Sequence, residues 1–182
     1  MFDFLARLIR QPEWKDLPWA WELKSALLRQ TGLKIGDRTI LAAGFCCMAR
    51  DRGEIEIGDD VILGYNNRIL AEAPVRLGRF TLCSMDVTFA NAGPKPGETP
   101  APLIVGRGCW IGTGAKIVGP LTIGDNAIIG AGAVVIADVP AGAIVAGVPA
   151  QILGRRELPE RVWNRHGRYF CPRTFEPVKE TV

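Results

Sequence analysis

The sequence predicts an all-β solenoid, a three-sided parallel β-helix of about five to six coils. Three observations predict it. Aliphatic or small residues recur every six positions, as in Ile57, Leu63, Ile69 and again in Val105, Ile111, Ile117, Ile123, Ile129, Val135. A second, mostly small or apolar position lies two residues before each of these marks: Val61, Thr81, Cys109, Ala115, Ala127, Ala133 and their equivalents. The six-residue beat is interrupted only after every third mark. Two inward residues at i and i−2 have the period of a strand. Three strand-and-corner units close a triangle, and successive coils then stack about 4.8 Å apart.

The segments follow in order. Residues 1–32 form a predicted helical cap. Within EWKDLPWAWELKSALLRQ (13–30), Trp19, Leu23, Ala26 and Leu27 share one helical face, and Thr31-Gly32 supplies a stop. A solenoid needs such a cover because its end coil exposes apolar surface. Trp14, Trp19 and Trp21 among basic residues also suit a weak membrane-surface contact through this helix. Residues 33–154 carry the β-helix. A weaker first set (Ile35, Leu41, Cys47) is followed by Ile57, Leu63, Ile69 and by Leu77, Cys83, Phe89, with Asn67 the polar exception to the small or apolar second positions. Four extra residues follow Cys47, two follow Ile69, ten follow Phe89 and none follow Ile117, so every insertion leaves from one vertex of the prism. The longest is an extruded loop over 90–102. Gly36, Gly58, Gly78, Gly106 and Gly124 read as sharp bends that need unusual dihedrals. A partial sixth coil begins near Val145. Residues 155–182 are a polar tail with a short helix expected over 157–164.

Composition narrows the function. The 182 residues carry 22 basic and 19 acidic side chains, a net charge of +3, too mild for a nucleic-acid binder. The five cysteines are odd in number and match no zinc spacing, and four sit at or beside core positions; they read as apolar fillers in a reducing cytoplasm. A single histidine excludes a histidine-rich metal centre, so no metal is expected. MFDFLARLIRQPEW is a poor signal peptide, and no stretch approaches a membrane span.

The segments CWIGTGAKI (109–117) and IGDNAIIGAGAVVIADVPAGAIVAGVPAQIL (123–153), above all its AGVPAQIL ending, resemble the hexapeptide-repeat acyltransferases. The likeness is to the maltose, nodulation-factor and polysaccharide O-acetyltransferase group and runs from about residue 33 to 155. It implies a left-handed coil, a homotrimer with sites between subunits, and acetyl-CoA or another acyl-CoA as co-substrate. It also implies a sugar or polysaccharide-precursor acceptor. In the matching segments of that family coenzyme A lies along Gly112, Gly114, Gly130, Ala131, Gly132 and Ala133, where small residues leave backbone amides uncovered; tight corners alone explain the same residues. Trp110 matches a tryptophan beside the cofactor and equally suits coil packing. Lys116, Arg155 and Arg156 are candidates for the nucleotide phosphates.

VTFANAGPKPGETP (87–100) departs from the family. The resembled enzymes place a catalytic histidine at the start of this loop, a slot that falls at about Pro94. Asn91, Ala92, Gly93 and Pro94 stand there, and the chain's histidine, His166, is in the tail. Four readings stay open. His166 reaches the site from the tail. A carboxylate serves as base, with Asp86, Glu72 and Glu98 as candidates. The acceptor is an amine that needs no protein base, with Asn66, Asn67 and Asn91 as hydrogen-bond donors to substrate or oxyanion. Or the chain is a catalytically silent trimer that binds or scaffolds.

Overall fold

In a computed structural model of the chain, residues 18–92, 100–156 and 176–177 are described. After helix α1 (Pro18–Arg29) the chain winds into five complete coils. They are β1 (Lys34–Ile35), β2 (Ile40–Leu41), β3 (Cys46–Ala49); β4 (Ile55–Ile57), β5 (Ile62–Leu63), β6 (Arg68–Ala71); β7 (Val75–Leu77), β8 (Leu82–Cys83), β9 (Thr88–Asn91); β10 (Leu103–Val105), β11 (Trp110–Ile111), β12 (Lys116–Val118); and β13 (Thr122–Ile123), β14 (Ile128–Ile129), β15 (Val134–Val135). A partial sixth coil holds β16 (Ala143–Gly147), which turns back as β17 (Ala150–Arg155), with the Val148–Pro149 peptide cis in the turn. β18 (Glu176–Pro177) pairs with β17.

Each third strand falls in the same sheet. Sheet A is β1-β4-β7-β10-β13, sheet C is β3-β6-β9-β12-β15, and sheet B runs β2-β5-β8-β11-β14-β16-β17-β18. Pairing is parallel up to β16 and antiparallel in the β16–β17 hairpin. This is the left-handed parallel β-helix of the sequence analysis. Register puts like on like: Leu41, Leu63, Cys83, Ile111, Ile129 and Val145 form one inward column, all buried. Such columns bury apolar area coil on coil, the main stabilising term of a solenoid.

The outer faces differ. Sheet A shows Lys34, Glu56 and Arg76 in register. Sheet B shows Ile40, Ile62, Leu82, Trp110, Ile128 and Ile144 in register. Sheet C shows Met48, Leu70, Ala90 and Val118.

The three edges of the prism have separate roles. At the A–B edge Arg38, Asp60, Phe80 and Asn126 have φ of 54–60° and share the column with Gly108 and Gly142, so this edge takes the left-handed conformation at every coil. The insertions after β3, β6 and β9 all leave at the C–A edge, as the spacing predicts. The first holds a 3₁₀ turn (Arg52–Glu54) whose N-cap, Asp51, accepts the Gly53 N–H at 2.7 Å. The sixth coil starts earlier than expected, since Val139 already bridges Ile123.

Two expectations are corrected. The glycines Gly36, Gly58, Gly78, Gly106 and Gly124 do not have positive φ. They are required by close approach: a Cβ at Gly78 would lie 2.5 Å from the Gly106 carbonyl carbon, and one at Gly106 would lie 2.6 Å from the Asp125 nitrogen. The unusual dihedrals belong to the residue just before each inward small position.

The helix also meets the coil with a different face. Leu23 and Ala26 are exposed, while Ser25 is buried and Lys24 and Leu28 are partly buried. Hydrogen bonding gives the reason. In the parallel strands a coil donates its N–H groups to the next coil, as Ile40 does to the Val61 carbonyl (2.8 Å). The first coil therefore has carbonyls with no coil before it to donate to them. Helix α1 supplies the donors: Lys24 Nζ to Leu41 and Ala42 oxygens (2.9 and 2.6 Å), Ser25 Oγ to Thr39 O (3.2 Å), and Arg29 to Ile35 and Gly36 oxygens (2.8 and 2.7 Å). Burial lowers the Lys24 pKa to about 8. The expected tail helix over 157–164, Trp14, and the side chains of Trp19 and Trp21 lie outside the described residues. Among the described residues no helix is long and apolar enough to cross a membrane.

Candidate functional site

The B–C edge carries most of the residues singled out by sequence. Its column of left-handed corner residues is Gly44, Asn66, Asp86, Gly114 and Gly132, one per coil. Each of the last four donates its N–H to the coil before: Asn66 to Ala43 O, Asp86 to Tyr65 O and Gly114 to Met85 O at 2.9 Å, and Gly132 to Thr113 O at 2.8 Å. Asn and Asp tolerate this conformation better than other side chains, and glycine adopts it without strain. The edge therefore changes character along its length. Asn66 and Asp86 project exposed polar groups from the second and third coils. The fourth and fifth coils present Gly114 and Gly132, where a Cβ would find nothing within 4 Å. The result is a bare backbone ledge open to solvent.

Trp110, Gly112, Gly114, Gly130, Ala131 and Gly132 do come together on this ledge. β11 runs from Trp110 straight into Gly112–Gly114, and β14 into Gly130–Gly132 one coil on. Trp110 stands in register between Leu82 and Ile128, 39% exposed. Lys116, exposed two residues beyond Gly114, opens β12 beside Thr88 and Val134. One expectation about the ledge is corrected. The N–H groups of Gly112, Gly114, Gly130 and Gly132 are all spent on neighbouring coils, at 2.7–2.9 Å. Thr113 and Ala131, between them, are the corner residues whose N–H has no backbone partner among the described residues. Thr113 escaped the sequence reading because its side chain carries no signal there; the free donor comes from its place in the corner.

Arg155 is not at the ledge. It pairs with Ala143 and Glu176, at the end of β16 and β17 away from the β16–β17 turn, and so at the A–B side of sheet B. Arg156 follows it there, its N–H donating to Gly142 O at 2.7 Å.

The asparagines part company. Asn66 stays exposed on the B–C edge. Asn67 is fully buried, its Nδ2 donating to Gly64 O (3.0 Å) and Ser84 O (2.9 Å) while its Oδ1 accepts the Val87 N–H (2.7 Å). The substrate-binding expectation for Asn67 is therefore corrected: its bonds to Ser84 and Val87 tie its coil to the next, and its bond to Gly64 closes its own corner. Asn91 is corrected in the same way. It is 1% exposed at the other edge, C–A, and its Nδ2 bridges Pro74 O and Ala101 O, both at 3.0 Å. Ala101 lies at the end of the excursion after β9 and Pro74 in the β6–β7 corner, so Asn91 ties the two together and has no donor left for a ligand. Its Oδ1 is buried and has no partner among the described residues. Glu72, whose N–H donates to Asn91 O (2.8 Å), is exposed on that edge, with the width of sheet C between it and Asp86. His166, Glu98 and Pro94 lie outside the described residues.

Thiols offer no nucleophile inside the coil. Burial pushes Cys47 up to about 11 and Cys109 up to about 12, and raises Cys83 further.

Comparison with known proteins bears on this geometry. Residues 102–137, which contain the whole ledge, match the bacterial transferase hexapeptide (six repeats) family. Serine acetyltransferase 5 of Arabidopsis thaliana is 38% identical over 104 residues, which are 57% of this chain and 33% of that protein. The chain thus spans about a third of the length of that curated relative. A hexapeptide-repeat acetyltransferase from Vibrio cholerae, solved with acetyl coenzyme A, superposes with a TM-score of 0.65 at 25% identity, covering 75% of this chain and 78% of that one. Two further likenesses concern the fold. A maltose O-acetyltransferase from Clostridium difficile has a TM-score of 0.65 at 23% identity, covering 86% of both chains. An N-acyltransferase variant from Bacillus cereus, in complex with dTDP-4-amino-4,6-dideoxyglucose and coenzyme A, has a TM-score of 0.57 at 15% identity, covering 74% of this chain and 90% of that one. The chain therefore resembles the hexapeptide-repeat acyltransferases in three ways: the repeat signature of residues 102–137, the sequence of the 104 residues shared with the curated relative, and the coil architecture.

Proposed function

We propose that the chain transfers an acyl group from acetyl-CoA or another acyl-CoA to a hydroxyl or amine of a sugar or polysaccharide precursor. The observation that carries this reading is the bare ledge of Gly114 and Gly132 beside Trp110. An extended pantetheine arm needs a surface with no side chains in its way and a few backbone groups to pair with its amides. The ledge offers both, with the Thr113 and Ala131 N–H groups as donors. Trp110 gives the arm an apolar wall, and Lys116 a cation for a phosphate. Arg155, across sheet B, serves only if the nucleotide end crosses that sheet. Asn66 and Asp86, on the same edge, face the space where an acceptor would lie.

A homotrimer with the site between protomers fits the outer faces. Sheets B and C carry apolar columns, including Met48 at 62% and Val118 at 40% exposure, whereas the first three strands of sheet A show Lys34, Glu56 and Arg76. Exposed apolar columns of this size are characteristic of covered surfaces.

Calorimetric titration with coenzyme A tests the reading. Binding is expected at one site per chain, with the dissociation constant raised about tenfold or more by Trp110→Ala, the loss of one well-packed aromatic contact. Absence of binding to the wild-type chain would refute it. The silent, scaffolding alternative keeps the binding and lacks turnover, so release of free coenzyme A in the presence of acceptors separates the two.

A further inference from the structure

Resting on the acyl-transfer reading, we infer that the acceptor is an amine, not a hydroxyl, and that Asp86 holds it. The first argument is the proton. A sugar hydroxyl is a very weak acid, so at neutral pH it attacks a thioester only when a positioned base removes its proton. The inventory of such bases is short. The sequence has one histidine, His166, far along the chain from the ledge. The buried thiols hold their protons well above neutrality. Lys24 is tied to the Leu41 and Ala42 carbonyls on the first coil, three coils from Gly114. Glu72, across sheet C, and Asp86, on the ledge's own edge, are both exposed and without the burial that a carboxylate base requires. The excursion ANAGPKPGETPAP (90–102) brings only Lys95 and Glu98 as ionisable groups. An amine next to electron-withdrawing groups titrates near 8, as an α-amino group does, so a substantial fraction is already a free nucleophile near neutrality.

The second argument is the charge that is present. Asp86 is one coil below Gly114 on the same edge, in the left-handed conformation, with its N–H donated to Tyr65 O and its side chain exposed. A carboxylate beside the ledge attracts an ammonium and accepts a hydrogen bond from the amine that forms when it deprotonates. Asn66, the next corner down, offers a neutral amide to the rest of the acceptor. For a hydroxyl acceptor the same carboxylate has no charge to select.

The step balances without a protein base. The nitrogen lone pair forms the C–N bond to the thioester carbonyl. The C–S bond breaks with its electron pair leaving on sulfur. The proton shed by nitrogen ends on the departing thiolate, giving an amide and free coenzyme A. Asp86 orients and concentrates the amine; it is not consumed or required to stay protonated.

The test uses the full-length wild-type chain with acetyl-CoA. Chromatography follows product and free coenzyme A against matched pairs of 2-amino and 4-amino sugars and their hydroxyl counterparts, both free and nucleotide-linked. At least one amino sugar should be acylated at a kcat/KM about a hundredfold or more above its hydroxyl partner. The pH–rate inflection should shift when a second amine of different pKa is used, because it belongs to the acceptor. Asp86→Asn should raise KM for the amine about tenfold or more with a smaller effect on kcat, and His166→Gln should leave the rate within about twofold. Faster hydroxyl acylation overturns the inference while sparing the acyl-transfer reading. So does loss of turnover in His166→Gln, an inflection fixed across acceptors, or failure to acylate any amine by a chain that binds coenzyme A. A chain that does not bind coenzyme A refutes the underlying reading itself.

Discussion

Replacing Asn67 separates a core role from a substrate role. Its side chain is fully buried and makes three hydrogen bonds, to Gly64 O, Ser84 O and the Val87 N–H. In Asn67→Ala the Val87 N–H is orphaned in the interior, and two carbonyls lose a donor. An unsatisfied buried polar group costs about 1–3 kcal/mol, with carbonyls toward the low end, so the loss is expected to total about 3–5 kcal/mol. Asn67→Asp is more informative. It keeps an oxygen for Val87 but aims a carboxylate at two carbonyl oxygens, which disfavours the ionised form and raises the folded-state pKa above the unfolded value near 3.9. A group of that kind contributes its stability at low pH and loses it as pH rises through the folded pKa. The Asp variant should therefore recover part of its deficit on acidification relative to wild type, while the Ala variant does not. Urea unfolding followed by circular dichroism, at one protein concentration, measures both. A change under 1 kcal/mol in Asn67→Ala, together with lost acyl transfer, would refute the reasoning and return Asn67 to the substrate.

Other substitutions probe separate features. Gly78→Ala, with ordinary φ but a Cβ 2.5 Å from Gly106 backbone, should destabilise by more than about 2 kcal/mol. Gly114→Ala, with φ of 72° and open space, should lose only about 1–2 kcal/mol; the reverse order in denaturant midpoints would contradict the close-approach explanation. Thiol burial raises Cys47 to about 11 and Cys109 to about 12, so their contribution is full below the unfolded thiol value near 8.5 and falls as pH rises toward 11–12. A pH series of denaturant midpoints should show that alkaline decline, and Cys109→Ala should make it shallower. Lys24, lowered to about 8, works in the opposite sense between about 8 and 10.4, where the unfolded chain binds more protons. Its share is the difference between wild type and Lys24→Met across that range, and Lys24→Met should also lower overall stability by leaving the Leu41 and Ala42 carbonyls without their donor.

The repeat was legible because inward residues obey one spacing. Ile57, Leu63 and Ile69 announce strand, corner and coil together, and the coil-by-coil register bears the spacing out. The shared vertex of the insertions was legible for the same reason, since position in an eighteen-residue cycle is position around the prism. Features that depend on backbone hydrogen bonding were not. Nothing in the residue types of helix α1 says that the first coil lacks donors, so Leu23 and Ala26 looked like the docking face in place of Lys24 and Ser25. Asn67 and Asn91 looked available because an asparagine at an inward position reads the same whether it binds a ligand or a neighbouring carbonyl. Only the carbonyls within reach decide.

The outward positions held a signal that attention to the core passes over. In a two-residue strand one side chain enters the prism and the other leaves it, so Ile40, Ile62, Leu82, Ile128 and Ile144 are outward residues that are nonetheless apolar. A lone solenoid in water has no use for such a column, and sheet A, with Lys34, Glu56 and Arg76, shows what the solvated alternative looks like in the same chain. Sheet B thus presents an apolar outer face and the first three strands of sheet A a charged one, and an apolar face of that kind suits a covered surface. The B–C edge has the apolar face of sheet B on one side and a mixed face of sheet C, with Arg68, Thr88 and Lys116 in register, on the other, and that is where Gly114 and Gly132 leave the backbone bare. A ledge there would be walled by whatever covers those faces. A ledge on the charged edge of sheet A would stay open to solvent, which would compete for every backbone donor it offered.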